Sequence, residues 1–130
     1  MGKSSNSVEL ADLFAALADP TRLRLLNLMD GREVCVCYFV EILKQSQPKI
    51  SRHLAYLRNA GIVSARRDGK WMHYRIERPR EERVSAILDV TLASLKSDRE
   101  MQTDLARLGN ACCDPRRFVA LQGAPVPAST

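Results

Sequence analysis

The 130-residue sequence predicts one mainly α-helical domain carrying a single β-hairpin. Three observations predict it. Apolar residues recur at helical spacing through most of the chain. Helix start and stop signals come in matched sets, with Asp19-Pro20 before Gly31 and Ser46 with Pro48 before Gly61. Between residues 62 and 77 the period changes from helical to alternating around Asp68-Gly69, a strong two-residue hairpin signal.

The elements follow in order. In "SVELADLFAALA" (7–18), Leu10, Leu13, Phe14 and Leu17 give an amphipathic helix, with Ser7 as N-cap. "DPTRLRLLNLMDG" opens on an Asp19 cap, with Pro20 at the first helical position, where its missing N–H costs nothing. Gly31 closes that helix. A short helix runs from about Cys37 to Lys44, its apolar stripe made by Val36, Phe39, Val40 and Leu43. After a tight turn at Lys44–Ser46, a longer helix from 47 to 60 buries Ile50, Leu54 and Leu57 and stops at Gly61. A short helix, a tight turn and a longer helix make a helix-turn-helix. The hairpin that follows is a wing, with Val63/Ala65 on one arm and Trp71/His73/Arg75 alternating against Met72/Tyr74/Ile76 on the other; Pro79 closes it. "REERVSAILDVTLASLK" (80–96) is a long helix with Val84, Ile87, Leu88, Leu92 and Leu95 on one side. Ser97 to Glu100 fits a capping box for a last helix over roughly 98–109. The tail "FVALQGAPVPAST" reads as loose. The division is therefore a winged helix-turn-helix domain over 1–110 and a flexible Cys-Cys tail over 111–130.

Composition narrows the function. The length suggests one domain that buries its own core without cysteine staples. No run of 18 apolar residues offers a membrane span. The N-terminus lacks the apolar stretch of a secretory signal, and Asn6 breaks the myristoylation pattern. The expected compartment is the cytoplasm, where thiols stay reduced and cysteines more often bind metals or do chemistry than form disulfides. Net charge is +5, but it is unevenly placed. From Lys44 to Arg80 ten Lys or Arg face only Asp68 and Glu77, a net +8; the remainder carries ten bases against thirteen acids. A basic segment inside an acidic remainder is the footprint of nucleic-acid binding.

That segment has the residue types the task needs. The exposed faces of the 47–60 helix present Gln47, Lys49, Ser51, Arg52 and, at the border, His53, clustered in the first two turns, where a recognition helix meets base edges. Gln and Arg suit bidentate base contacts, Ser and Lys suit phosphates, and the helix N-terminus favours phosphate. Arg66, Arg67 and Lys70 sit on the wing beside the adjacent backbone. Neither His53 nor His73 has a metal-ligand partner nearby in sequence; both read as packing or backbone contacts. No Ser/His/Asp set, paired carboxylates, Gly-rich phosphate loop or cofactor motif supports an enzyme.

The stretch "REVCVCYFVEIL" (32–43) adds a separate chemistry. Cys35 and Cys37 stand two residues apart, about 200° around a helix, so they do not face each other. To grip one ligand together they require the helix to be unformed or distorted at that point.

"LADPTRLRLLNLM", "EVCVCYFVEIL", "SQPKISRHLAYLRNAGIV" and "RDGKWMHYRI" together resemble the ArsR/SmtB family of metalloregulatory repressors, in order over roughly residues 8–78. The Cys-Val-Cys before the recognition helix is similar to the arsenic-responsive branch. The resemblance implies a homodimer through the first and fifth helices, here 8–18 and 80–96. It implies repression at double-stranded operator DNA and release when thiolates bind trivalent arsenic, an organoarsenical or antimony. A symmetric dimer implies an inverted-repeat operator. No constitutive cofactor and no membrane partner are implied. The chain departs from the family pattern in two places. Where the best-known arsenic sensors carry a third cysteine, this chain has Val40. The fifth helix has no His for a zinc site. Instead Cys112-Cys113 follows the last helix, near where other arsenic-sensing members place a pair.

The candidate ligands are Cys35, Cys37, Cys112 and Cys113: either Cys112 or Cys113, from the same subunit or its partner, completes a three-thiol site with the first pair, or Cys35 and Cys37 remain a two-thiol site that prefers methylated or aryl arsenicals. Trivalent arsenic is soft and thiolate matches it. C-x-C plus CC is a poor fit to zinc spacing, and no C-x-x-C redox motif is present. A thiol redox sensor of the same fold and a structural zinc module stand as alternatives, and small buried hydrophobes are the bland reading of the cysteines. On this reading, arsenic binding remodels the first turn of the 37–44 helix, which braces the recognition helix.

Overall fold

The computed structural model describes residues 9–113, 116, 118, 121 and 123–130, without the side chain of Cys113. The expected Ser7 cap lies outside the described residues. The first helix, α1 (Leu10–Leu17), starts instead after Glu9, which makes no capping hydrogen bond. In α2 (Pro20–Met29) Asp19 caps as expected, its carboxylate accepting the Arg22 N–H at 3.0 Å. Gly31 then turns the chain at φ +78°, a conformation that favours glycine.

A strand that the sequence did not announce comes next. Residues Arg32–Cys35 form β1. Helix α3 begins only at Val36 and ends at Leu43, with Cys35 as its extended N-cap at φ −70°, ψ 143°. The expected start at Cys37 is therefore one residue late, and Cys35 is not helical. Lys44 takes the left-handed conformation at φ 56° and closes α3. Ser46 caps α4 (Gln47–Asn59) by accepting the Lys49 N–H, and Ile50, Leu54 and Leu57 are buried as their spacing required.

The wing is β2 (Val63–Asp68) and β3 (Trp71–Ile76), antiparallel, with Asp68 opposite Trp71. The residues at the turn's centre are thus Gly69 and Lys70. Gly69 has φ +62°, as a glycine-first hairpin turn demands. Strand β1 pairs antiparallel with the far side of β3, placing Val34 opposite Tyr74 and Cys35 opposite His73. Helix α5 (Glu82–Leu95) buries Val84, Leu88 and Leu92.

Helix α6 spans Arg99–Cys113, four residues beyond its expected end. Cys112 and Cys113 lie in its last turn rather than after it. Its cap is Asp98, which accepts the Met101 N–H at 3.2 Å; the expected Ser97 box does not form, because Ser97 Oγ donates back to Ser94 O. Leu121 is buried, and β4 (Ala128–Ser129) adds to the edge of β1, giving the sheet order β2-β3-β1-β4.

The core lies where α2, α3 and α4 meet the sheet: Leu25, Leu26, Met29, Tyr38, Phe39, Ile50, Leu54 and Leu57 are all fully buried. Helix α6 is fastened across α2. Arg24 donates two hydrogen bonds to the buried Asp104, at 2.8 and 3.0 Å, and Asn27 Nδ2 donates to Met101 O at 3.1 Å. No helix among the described residues is long and apolar enough to cross a membrane.

Candidate nucleic-acid interface and thiol site

Burying Ile50, Leu54 and Leu57 turns the opposite face of α4 outward. Gln47, Lys49 and Arg52 are exposed, and Ser51 is half-buried. His53 turns back toward the start of α2, its Nδ1 lying 3.3 Å from Arg22 Nη1 and 3.9 Å from Asp19 Oδ1. Burial holds the His53 ring below its ordinary basicity; Asp19 works against that, and Arg22, Lys49 and Arg52 add to it. Arg22 itself is spent on structure. It donates to Ala15 O and Ala16 O and lies 4.1 Å over the ring of Tyr56.

On the wing, Arg67 and Lys70 are exposed, and Lys70 Nζ sits 4.9 Å over Trp71. Arg66 is also exposed but engaged. It donates to Glu33 of β1 at 2.6 and 3.3 Å, and that bond holds the Glu33 carboxyl below the usual carboxylate range. Glu33 gave no signal in the sequence, because its role depends on the unannounced pairing of β1 with the wing.

The thiols are the main correction. Cys35 ends a strand and Cys37 lies in the first turn of α3, so the pair straddles a bend in the backbone. The two sulfurs are 3.1 Å apart, with the Cys37 thiol donating to Cys35. No helix has to melt to bring them together; the expected distortion of the first turn is not needed. The Cys37 hydrogen bond pushes the Cys35 thiol down to about 7 against the opposing effect of burial, and the amides of Cys37, Val36 and Met72 help, though none makes a capping hydrogen bond to the sulfur. Cys37 is held well above the ordinary thiol range, first because it shares its hydrogen with Cys35 and then by burial. The pair thus gives up one proton near neutrality and keeps the second.

Helix α6 packs against α3 and brings Cys112, half-buried, toward the same region. Tyr38, which gave no signal in the sequence, follows Cys37 on α3. Its fully buried hydroxyl has no hydrogen-bond partner among the described residues. Burial, followed by the nearby sulfurs of Cys112, Cys37 and Cys35, pushes that hydroxyl up to about 12. Cys113's side chain lies outside the described residues. Among those described, no three His, Cys, Asp or Glu are gathered to hold a metal ion: the thiols are a preformed pair and a neighbour.

A short helix, a left-handed turn, a capped second helix with an exposed polar face and a basic hairpin define a winged helix-turn-helix, a DNA-binding class. Comparison with known proteins gives the family. The profile described as bacterial regulatory protein, arsR family, matches residues 19–65. The chain is 54% identical over 65 residues to the arsenical resistance operon repressor of Escherichia coli, covering 49% of this chain and 56% of that protein. It is 45% identical over 82 residues to the arsenic resistance transcriptional regulator ArsR2 of Pseudomonas putida, covering 62% of this chain and 71% of that one. The solved structure of the AntR antimony-specific transcriptional repressor superposes with a TM-score of 0.53 at 30% identity, over 67% of this chain and 77% of that chain. The chain belongs to the arsR family and stands beside its arsenical-resistance members. The family and these relatives are transcriptional regulators, not enzymes.

Proposed function

We propose that this chain is a trivalent-arsenic-responsive repressor that binds operator DNA as a homodimer and releases it when thiolates capture the inducer. The observation that carries the reading is the preformed Cys35–Cys37 pair at 3.1 Å. Cys35 and Cys37 are the obligatory ligands and Cys112 is the third. Cys113 follows it on the same helix as a reserve thiol. Antimony and organoarsenicals compete for the same sulfurs, since softness rather than size selects the ligand.

Gln47, Lys49, Ser51 and Arg52 enter the major groove, with His53 bracing the helix from behind. Arg66, Arg67 and Lys70 follow the neighbouring backbone. The dimer forms through α1 and α5. Support comes from the apolar residues those helices leave outside: Leu10 and Phe14, one turn apart on α1, are 49% and 52% exposed, and Val90 on α5 is 67% exposed.

The coupling follows from what the thiols are attached to. Cys35 ends the strand that pairs with β3 of the wing, and Cys37 lies on the helix that packs against α4. An inducer that joins Cys112 to the pair pulls α6 against both DNA-reading elements at once. A coupling of about 1–3 kcal/mol per subunit is a substantial part of the roughly 4–10 kcal/mol that separates specific from non-specific binding.

The test is arsenite titration of the operator complex, followed by anisotropy. Wild type releases DNA; Cys35→Ser binds DNA normally and ignores every arsenical. A Cys35→Ser variant that still releases with arsenite overturns the reading. The same 3.1 Å contact favours a second reading, a redox sensor in which peroxide converts two thiols to a disulfide and two waters. Release by peroxide but not arsenite would select it.

A further inference from the structure

The thiol site holds a buried polar group that neither the DNA interface nor the thiol pair uses. Tyr38 follows Cys37 on α3, is fully buried, and has a hydroxyl with no hydrogen-bond partner among the described residues. Phenylalanine would fill the same volume without stranding a donor. The hydroxyl is therefore an expense that packing alone does not explain. Tyr38 sits directly after Cys37 on α3, and α6, which carries Cys112, packs against that helix.

We propose that Tyr38 is a positioning and specificity residue of the thiol site, its hydroxyl donating a hydrogen bond to the Cys112 sulfur when inorganic trivalent arsenic, with three open valences, draws Cys112 to the Cys35–Cys37 pair. The proposal rests on the reading of Cys35, Cys37 and Cys112 as the inducer site. A buried O–H donor without an acceptor gains one only when Cys112 is recruited. Ligands with three open valences recruit it. An aryl arsenical, which offers two valences to thiols, leaves Cys112 and Tyr38 where they are. Tyr38 thus sorts inorganic from aryl arsenicals, at a position where sequence alone shows only an aromatic core residue.

The experiment measures equilibrium binding of arsenite and of phenylarsine oxide to the full chain, together with thermal melting without ligand. Tyr38→Phe should melt at the same or a higher temperature, because removing an unpaired buried hydroxyl costs nothing. It should weaken arsenite binding about tenfold, the worth of one such hydrogen bond, and leave phenylarsine oxide unchanged. In a Cys112→Ala background the same substitution should have no further effect. Unchanged arsenite affinity, equal loss for both ligands, or the same loss without Cys112 would each overturn the proposal.

A second measurement does not need Tyr38→Phe to fold. Arsenite should perturb the tyrosine ultraviolet absorbance of wild type but not of Cys112→Ala; no perturbation in wild type counts against the proposal. If Cys35→Ser fails to lower arsenite affinity, the inducer-site reading itself is wrong. If Cys35→Ser abolishes binding and Tyr38→Phe binds normally, only the role of Tyr38 falls.

Discussion

Cys35 is the cross-strand partner of His73, and His73 is in turn the partner of Arg66. One row across the sheet thus leads from the thiol pair through the wing's second strand to a basic residue on its first. Glu33, two residues before Cys35 and so on the same face, completes the row by accepting two hydrogen bonds from Arg66. The wing is tied directly to the strand that carries the first thiol.

This row predicts an effect for Glu33→Gln. Its carboxylate competes with phosphate for Arg66, whose side chain is 55% exposed. Without that charge, Arg66 turns to the DNA backbone. Non-specific affinity should rise, and the slope of log K against log salt should steepen by about 1. Anisotropy titrations across a salt series measure both. An unchanged slope would show that Arg66 stays clear of phosphate.

Arg52 and Lys70 are expected to differ in kind. Arg52 is exposed on the recognition helix, while Lys70 lies at the wing tip over Trp71. Arg52→Ala should cost about 1–3 kcal/mol on operator DNA and little on unrelated DNA. Lys70→Ala should weaken both equally and flatten the salt slope by about 1. Parallel losses for Arg52→Ala on the two DNAs would remove it from base readout.

The contrast between what the sequence displayed and what it hid has a physical basis. The helix-turn-helix was legible because its boundaries are local: Asp19 with Pro20, and Ser46 with Pro48, fix helix starts within four residues. Strand β1 was hidden because "REVC" has only four residues and its partner β3 lies about forty positions away. Val34 and Cys35 run without a break into the apolar stripe of α3, so a helical period absorbs them. The closeness of the thiols was hidden for the same reason, since it exists only if Cys35 leaves the helix. The end of α6 was misread at Gly109, which the helix passes through; packing of Leu108 and Ala111 into the core outweighs glycine's roughly 1 kcal/mol preference against helix.

The paired thiols should titrate in a recognisable way. Cys35 is pushed down to about 7 mainly by the Cys37 hydrogen bond. As pH rises, thiolate absorbance should therefore climb by one equivalent around pH 7, well below an ordinary thiol at about 8.5. Cys37→Ala removes the donor, so this step should move up in pH. Cys112→Ser should leave it in place. A first step that stays put in Cys37→Ala would mean the helix N-terminus, not the neighbouring thiol, sets the acidity of Cys35.

Asp104 controls where Cys112 can be. The two residues are eight positions apart on α6, and Asp104 is the point at which α6 is fastened to α2 through the bidentate Arg24 pair. Asp104 is 1% exposed and Arg24 14%, so removing the acid leaves a largely buried guanidinium uncompensated. Asp104→Ala should cost about 3–5 kcal/mol, the usual penalty for breaking a buried pair, read as a lower urea midpoint with an unchanged slope. Replacing both partners, Arg24→Leu with Asp104→Leu, should recover most of that loss, because no charge is then stranded. The functional consequence is separate. With α6 loosened, arsenite affinity should fall while phenylarsine oxide affinity holds, since the Cys35–Cys37 pair belongs to β1 and α3 and does not depend on α6. Equal loss for the two ligands would show instead that α6 maintains the pair itself.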